Sequence, residues 1–327
     1  MNVLPINPNP LMTKYLVEAK VFSSDPVVVL DIGARDGFNS EWKVFGDQIR
    51  VYCFESDETE CARLTAQAPS YVTYIPWAIG GQTGLATLYE AKLNYSTGLY
   101  RTNMDYFGRL LNCDNGIVVD EHSVEVHTLD EALTAYRVPP ISFIKLDVEG
   151  AELDILKGVA HHLETGPLVG VLSEIRFHEE INGSPIFSAL DLFMRKFGFH
   201  LYNLEFYHQS RKVLPYPGIA DFRLPSGERF FAYTHQGQIQ DGNALYFRDL
   251  LLPQNGERAD KLTSRDVLKL CAFYEIYSLN DCAAELIVSY RPRLESIVDC
   301  GRLLDLLASG VAGTEVGYQD YLRRYFE

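Results

Sequence analysis

The sequence predicts an α/β protein, with a mainly parallel sheet, helices on both faces and a small C-terminal helical appendage. Three observations carry this. Short apolar runs rich in β-branched residues alternate with helix-compatible segments from residue 27 to residue 204. The first of these runs ends in an acid followed by a glycine-bearing loop, Asp31-Ile-Gly33-Ala-Arg-Asp36-Gly37. After Pro253 the strand-like runs stop and helical patterns take over.

Taken in order, residues 1–26 form a leader. Pro5, Pro8 and Pro10 keep its start irregular, a helix is expected over 11–22, and Asp25-Pro26 ends it. Residues 27–32 are the first buried strand, with helix-compatible residues 38–45 beyond the loop. Residues 49–54 and 71–75 are the next strands, separated by a helix over 57–68. Residues 83–90 and 123–127 read as more exposed strands. Residues 141–147 and 168–174 are buried strands flanking a helix at 151–157, and 199–204 follows a helix at 189–197. The Pro- and Gly-rich stretch 209–237 reads as a loop-and-hairpin excursion in the position of a lid, and 244–248 is a last strand. Helices are expected over 263–277, 281–290, 294–307 and 317–325, with Thr263 or Ser264 plus Asp266, and Asn280, as starts. The organisation is therefore leader 1–26, core domain 27–255 and helical appendage 256–327.

Composition narrows the function classes. The 327 residues are 47% hydrophobic and 22% charged, ordinary for a folded domain. No apolar stretch approaches the roughly 20 residues of a membrane span, and the first residues lack the basic flank and apolar core of a signal peptide. Six scattered cysteines form no C-x-x-C pair, which argues against a zinc site or disulfide framework and for free thiols in a reducing cytoplasm. A net charge of −15, without a Lys/Arg cluster beyond Arg211-Lys212 and Arg323-Arg324, argues against a nucleic-acid substrate.

The loop after the first strand is the most informative segment. A strand-to-helix turn at the carboxyl edge of a parallel sheet is where nucleotide-like ligands bind. Gly33 allows close approach or a positive φ. Asp31 suits a cationic amino group such as that of S-adenosylmethionine. A diphosphate site would want G-x-G-x-x-G, and Asp36 inside this loop opposes a diphosphate, which disfavours a nicotinamide oxidoreductase. The second strand ends at Glu55, an acid placed to hold two ribose hydroxyls; alternatively it is an N-cap or solvated loop acid ahead of the helix at Asp57.

Around the strand at 141–147, Lys145, Asp147, Glu149 and Glu152 gather charge at a buried strand's end. Period two puts Lys145, Asp147 and Glu149 on one side. They form either a catalytic group or an ion-pair network that fixes the loop, roles that are compatible. Glu174 and His178 follow the strand at 168–174, and His178, with an ordinary pKa of about 6.5, is a candidate proton acceptor. Asp147, Glu149 and Glu174 are also candidate ligands for a divalent metal, since hard cations prefer oxygen.

The segments VVVLDIGARDG, VYCFES, PWAIGGQTGLATLYEA, VEVHTLDEAL, FIKLDVEGAELDILKG and VGVLSEI, in this order, resemble the FkbM-type methyltransferases, a branch of the class I S-adenosylmethionine-dependent enzymes. The resemblance covers about residues 27–248. The chain departs from the family's usual pattern in two places, in the first loop, where the family has Asn and Arg35-Asp36 begins to differ, and at Ser56, where the family has Pro, and neither departure removes a required group. The resemblance implies a Rossmann-like class I methyltransferase core with a seven-stranded sheet. It implies S-adenosyl-L-methionine as cofactor, held by Asp31, Gly33, Ala34, Gly37, Glu55, Ser56, Trp77 and Ala78, with the tryptophan–alanine pair near the adenine. It also implies O-methylation of a sugar, polysaccharide or natural-product hydroxyl. The catalytic candidates are Lys145, Asp147, Glu174 and His178. The competing reading is an inactive cofactor-binding or assembly protein with the same fold. The appendage is a candidate surface for homodimerisation, or for docking to a glycosyltransferase.

Overall fold

The structure, a computed structural model, describes residues 3–218, 221–223, 229–231 and 233–326. Helix α1 (Leu11–Glu18) precedes strand β1 (Val27–Ile32). Short 3-10 turns over Ser40–Gln48 lead to β2 (Ile49–Phe54), α2 (Glu58–Thr65), β3 (Val72–Ile75), β4 (Ala78–Gly80), β5 (Gly84–Ala91), α3 (Met104–Phe107) and β6 (Val118–Thr128). Then come α4 (Leu129–Ala135), β7 (Phe143–Leu146), α5 (Glu152–Gly158), α6 (Ala160–Thr165), β8 (Gly170–Arg176), α7 (Phe187–Lys196) and β9 (Phe199–Gln209). The chain closes with β10 (Asp221–Arg223), β11 (Arg229–Phe231), β12 (Gln238–Arg248), α8 (Gly256–Lys261), α9 (Ser264–Ile276), α10 (Asn280–Ser289), α11 (Arg291–Leu294), α12 (Cys300–Ala312) and α13 (Tyr318–Phe326).

The central sheet has seven strands in the order β3-β2-β1-β7-β8-β12-β9. Pairs from β3 through β8 are parallel, and β12 lies antiparallel to both β8 and β9. The fold is thus the Rossmann-like, mainly parallel seven-stranded core that the sequence predicts. The chain runs outward from β1 to β3, then crosses back to β7 on the other side of β1. The strand order reverses between β1 and β7, and a switch point of this kind places a crevice at the carboxyl edge of the sheet. The exposed strands read from 83–90 and 123–127 are real, but they form a second sheet, order β4-β6-β5, that roofs the crevice. The excursion after β9 does contain a two-stranded hairpin, β10 with β11, whose turn lies outside the described residues.

Two apolar clusters cover the two faces of the central sheet. One holds side chains of α4, α5, α6 and α7. The other holds α1, α9, α10, α12 and the turn residues Trp42 and Phe45. Helix α9 is its centre: every residue from Asp266 to Ile276 is buried, as a helix apolar on most sides requires. Phe273 stacks on Phe143 of β7 at 4.7 Å between ring centres, and Tyr274 packs edge-on against Phe247 of β12 at 4.8 Å. Thr263 and Asp266 form the capping box expected at its start. Helix α1 lacks a capping side chain of its own because Pro10 precedes it. Glu275 of α9 supplies the cap instead, accepting the Met12 and Thr13 N–H groups at 2.9 and 2.7 Å and the Thr13 hydroxyl at 2.7 Å.

The segment 38–45, helix-compatible by pattern, is not an α-helix. Gly46 takes φ +57° and breaks the turn, while Trp42 and Phe45 are drawn wholly into the core against Phe143, Phe22 and Phe273. The helix expected over 294–307 is interrupted, because Asp299 caps a new start by accepting the Arg302 N–H at 3.0 Å.

Candidate active site

The loop leaving β1 is held by backbone constraints. Gly33 takes φ +84°, and a Cβ there would lie 1.8 Å from the Asp147 carbonyl oxygen. Its glycine is demanded by close passage of the β1 loop beside the β7 loop. Gly33 and Ala34 N–H groups both donate to the Phe54 carbonyl, at 3.0 and 3.1 Å. Asp36 and Gly37 also take positive φ, +65° and +104°. Arg35 pairs with Asp57 at 2.9 Å, and the Tyr95 hydroxyl donates to Asp36 at 2.8 Å from the segment between β5 and β6.

At the end of β2, Glu55 is buried and its Oε1 accepts the Asp57 N–H at 2.8 Å. The N-cap of α2 is Asp57, which accepts from Thr59 and Glu60. Glu55 is therefore not the helix cap that one reading of the sequence made it. Its Oε2 makes no hydrogen bond to the described residues, and burial raises its pKa despite the Asp57 N–H and nearby Arg35.

Strand register places Asp31 beside Lys145. Lys145 Nζ lies 3.0 Å from Asp31, 3.5 Å from Asp147 and 3.4 Å from the Gly33 carbonyl. Asp31 is fully buried and its Oδ2 has no hydrogen-bond partner among the described residues. Burial raises its pKa to about 6, with Lys145 opposing. Burial disfavours the Lys145 charge, but the Asp31 and Asp147 carboxylates outweigh it and hold the ammonium above its ordinary pKa. Lys145 thus ties together Asp31, Asp147 and the Gly33 carbonyl.

The loop after β7 is pinned by Glu152, whose Oε1 accepts the Val148 and Gly150 N–H groups at 3.0 and 3.1 Å. Glu149, at φ +57°, turns toward Arg176. The Arg176 guanidinium donates to Glu149 at 2.5 Å and to Glu174 at 3.2 Å. Burial pushes both carboxyls above their ordinary pKa, with Arg176 opposing; Asp147 and Glu152 raise both, and Glu149 raises Glu174.

One cavity of about 670 Å³ runs along the ends of β2, β1 and β7 beneath the second sheet. Gly33, Gly37, Glu55, Ser56, Trp77, Ala78, Lys145, Asp147 and Glu149 line it. Trp77 is fixed by stacking on His127 at 3.8 Å. Asp31 and Ala34 are buried residues outside that lining, Asp31 reaching it through Lys145. Glu174 lines a neighbouring cavity of about 270 Å³ that shares Tyr95 and Glu149 with the first. His178 lines neither: its Nε2 lies 2.9 Å from the Ile239 carbonyl and 2.9 Å from the Gln238 side-chain nitrogen, and its ring stacks on Tyr106. Oxygen atoms of Asp147, Glu149 and Glu174 do come within 4.8 Å of one another. Sequence reasoning assigned no role to Arg176 or Tyr95, and it placed Glu152 only in a charge cluster, without the Val148 and Gly150 N–H groups it accepts. Arg176 was accessible in principle, since period two puts it on the same face of β8 as Glu174.

The fold and this cavity are those of a Rossmann-like methyltransferase. Residues 31–201, just over half of the chain, match the family model described as the methyltransferase FkbM domain, and the chain belongs to that family. No curated protein matches the chain. Among solved structures it is similar to a fibrillarin/Nop5p complex, at 11% identity over 73% of this chain and 83% of that one, TM-score 0.33. It is similar to precorrin-6y C5,15-methyltransferase from Geobacter metallireducens GS-15, at 10% identity over 72% and 86%, TM-score 0.32. A third is magnesium protoporphyrin IX methyltransferase (ChlM) from Synechocystis PCC 6803 with bound SAM, at 8% identity over 74% and 80%, TM-score 0.31.

Proposed function

We propose that the chain is an O-methyltransferase acting in the cytoplasm on a hydroxyl of a saccharide or natural product. The observation that carries this is that Glu55, Gly33 and Asp147, from the ends of three neighbouring strands, line one cavity. The residues fit S-adenosylmethionine. Glu55 would offer the ribose hydroxyls the carboxylate oxygen that the Asp57 N–H leaves free, Trp77 and Ala78 would lie by the adenine, and Gly33 and Gly37 would line the methionine end, with Asp31 and Ala34 buried behind them. When bound, the cofactor supplies a methyl group already activated on a sulfonium.

The chain's own work is positioning, exclusion of water and removal of one proton. Asp147, 45% exposed at its side chain, faces the cavity and takes the proton of the acceptor hydroxyl, while Lys145 holds it in place from 3.5 Å. His178 is engaged elsewhere, so the base is Asp147. The Asp147, Glu149 and Glu174 set fits a divalent cation poorly, because Arg176 already meets the charge of two of the three. Glu174 acts as a positioning residue through Arg176. The six free cysteines support the cytoplasmic assignment. A homodimer through the C-terminal helices is part of the proposal, supported by exposed Tyr325 and Phe326 on α13; a monomer mass in solution discards it.

The test is mass spectrometry of a saccharide and natural-product pool incubated with the protein and isotopically labelled S-adenosylmethionine. A labelled O-methyl product is expected. Asp147→Asn should abolish that turnover and leave S-adenosylhomocysteine affinity within about twofold. Wild-type rates in the variant would remove Asp147 from the mechanism.

A further inference from the structure

The smaller cavity lies between the segment joining β5 to β6 and the ends of β8 and β12, and the unpartnered buried polar atoms of its lining residues share one character. Glu180 is 3% exposed and Gln209 is 4% exposed, and each has a side-chain oxygen without a hydrogen-bond partner among the described residues. Asp241 Oδ1 and Asn112 Oδ1 are in the same condition. All four atoms are acceptors on residues that line this space. Buried acceptors left unpaired are costly and uncommon, so their gathering around one cavity points to a ligand rich in donors.

Charge narrows the ligand further. Glu149, Glu174, Glu180 and Asp241 face the cavity against one guanidinium, Arg176. Arg176 is engaged by Glu149 and Glu174. Arg211 also acts on Glu180, but it is not in the lining and its guanidinium donates to Gln238. A carboxylate or phosphate is repelled here, and a neutral hydroxyl supplies donors without charge. A protonated amine supplies three N–H donors and the missing positive charge together.

We propose that this cavity anchors the methyl acceptor, and that it selects an acceptor bearing a protonated amine beside the hydroxyl to be methylated, as in an amino sugar. This rests on the methyltransferase reading, and it names the substrate class for that same site. Shared walls support it: Tyr95 and Glu149 border both cavities, so an amine held by Glu180 and Asp241 leaves its neighbouring hydroxyl on the Asp147 side. Burial raises the pKa of Glu180 and of Asp241, and an ammonium brought between them restores the carboxylate forms.

The test is calorimetry on the full chain saturated with S-adenosylhomocysteine. Glucosamine, galactosamine and a deoxystreptamine aminoglycoside are titrated, each against its N-acetylated form. At least one amine is expected to bind tenfold or more tightly than its N-acetylated form, as a charge-assisted hydrogen bond gives. Glu180→Gln and Asp241→Asn should each shrink that preference while S-adenosylhomocysteine still binds, which shows that the variants are folded. The proposal is overturned if N-acetylated forms bind as well, if no amine binds, or if the preference survives both variants. It is also overturned if magnesium or manganese alone binds wild type and not Glu180→Gln, which makes the cluster a cation site. Failure of S-adenosylhomocysteine to bind counts against the methyltransferase reading itself. Its binding without an amine preference counts only against this proposal.

Discussion

Gly33 is constrained twice, by its positive φ and by the Asp147 carbonyl beside it. Gly33→Ala has to move one of two loops that carry the site. A loss of at least about 2–4 kcal/mol is expected in urea unfolding. A loss below about 1 kcal/mol would show that the loops slide apart without cost. Residues such as Asp31, Gly33, Glu55 and Asp147 were legible in the sequence, because each follows directly on a β-branched run whose end must lie at the sheet's edge. Arg176 and Tyr95 were not, because their roles come from through-space partners: Glu149 for Arg176, Asp36 for Tyr95; Glu152 was read as one of a charge cluster that could fix the loop, but not the two N–H groups it accepts. His178 was legible as chemistry and not as placement, since the pairing of β12 with β8 brings Ile239 and Gln238 onto it.

Elements whose character is set by their own residues were read from the sequence, and those set by partners were not. The strands at 27–32 and 49–54 are apolar enough to be buried wherever they pair. That 83–90 and 123–127 leave the main sheet for a second one depends on which edge accepts them, and no local pattern encodes that. Helix α1 illustrates the same limit, since its cap comes from Glu275, far along the chain. Glu275→Ala leaves two buried N–H groups and the Thr13 hydroxyl without their acceptor. We expect it to cost about 2–4 kcal/mol by chemical denaturation. A cost near zero would mean that α1 is capped by solvent and adds little to the sheet's cover.

Across the whole molecule, burial raises the pKa of one acid after another around the two cavities. Asp31 and Asp241 reach about 6, Glu149 and Glu180 about 8, and Glu55 and Glu174 move in the same direction. The folded chain therefore holds more protons than the unfolded chain between about pH 4 and pH 8. Stability from these groups is fully present below pH 4 and is lost as pH rises through their folded values. In the unliganded protein the melting temperature should fall from pH 5 to pH 8, and Glu180→Gln should flatten that slope. A melting temperature that rises over this range would contradict the assigned shifts.

The central claim is that Glu55 and its neighbours grip a nucleoside in the larger cavity. Calorimetry of the full chain with S-adenosylhomocysteine, run beside NAD and beside a Glu55→Ala variant, tests it most directly. Expected are one-to-one binding of S-adenosylhomocysteine, no heat with NAD, and an affinity at least about tenfold weaker in the variant. No binding, binding of NAD instead, or an affinity indifferent to Glu55 would contradict it.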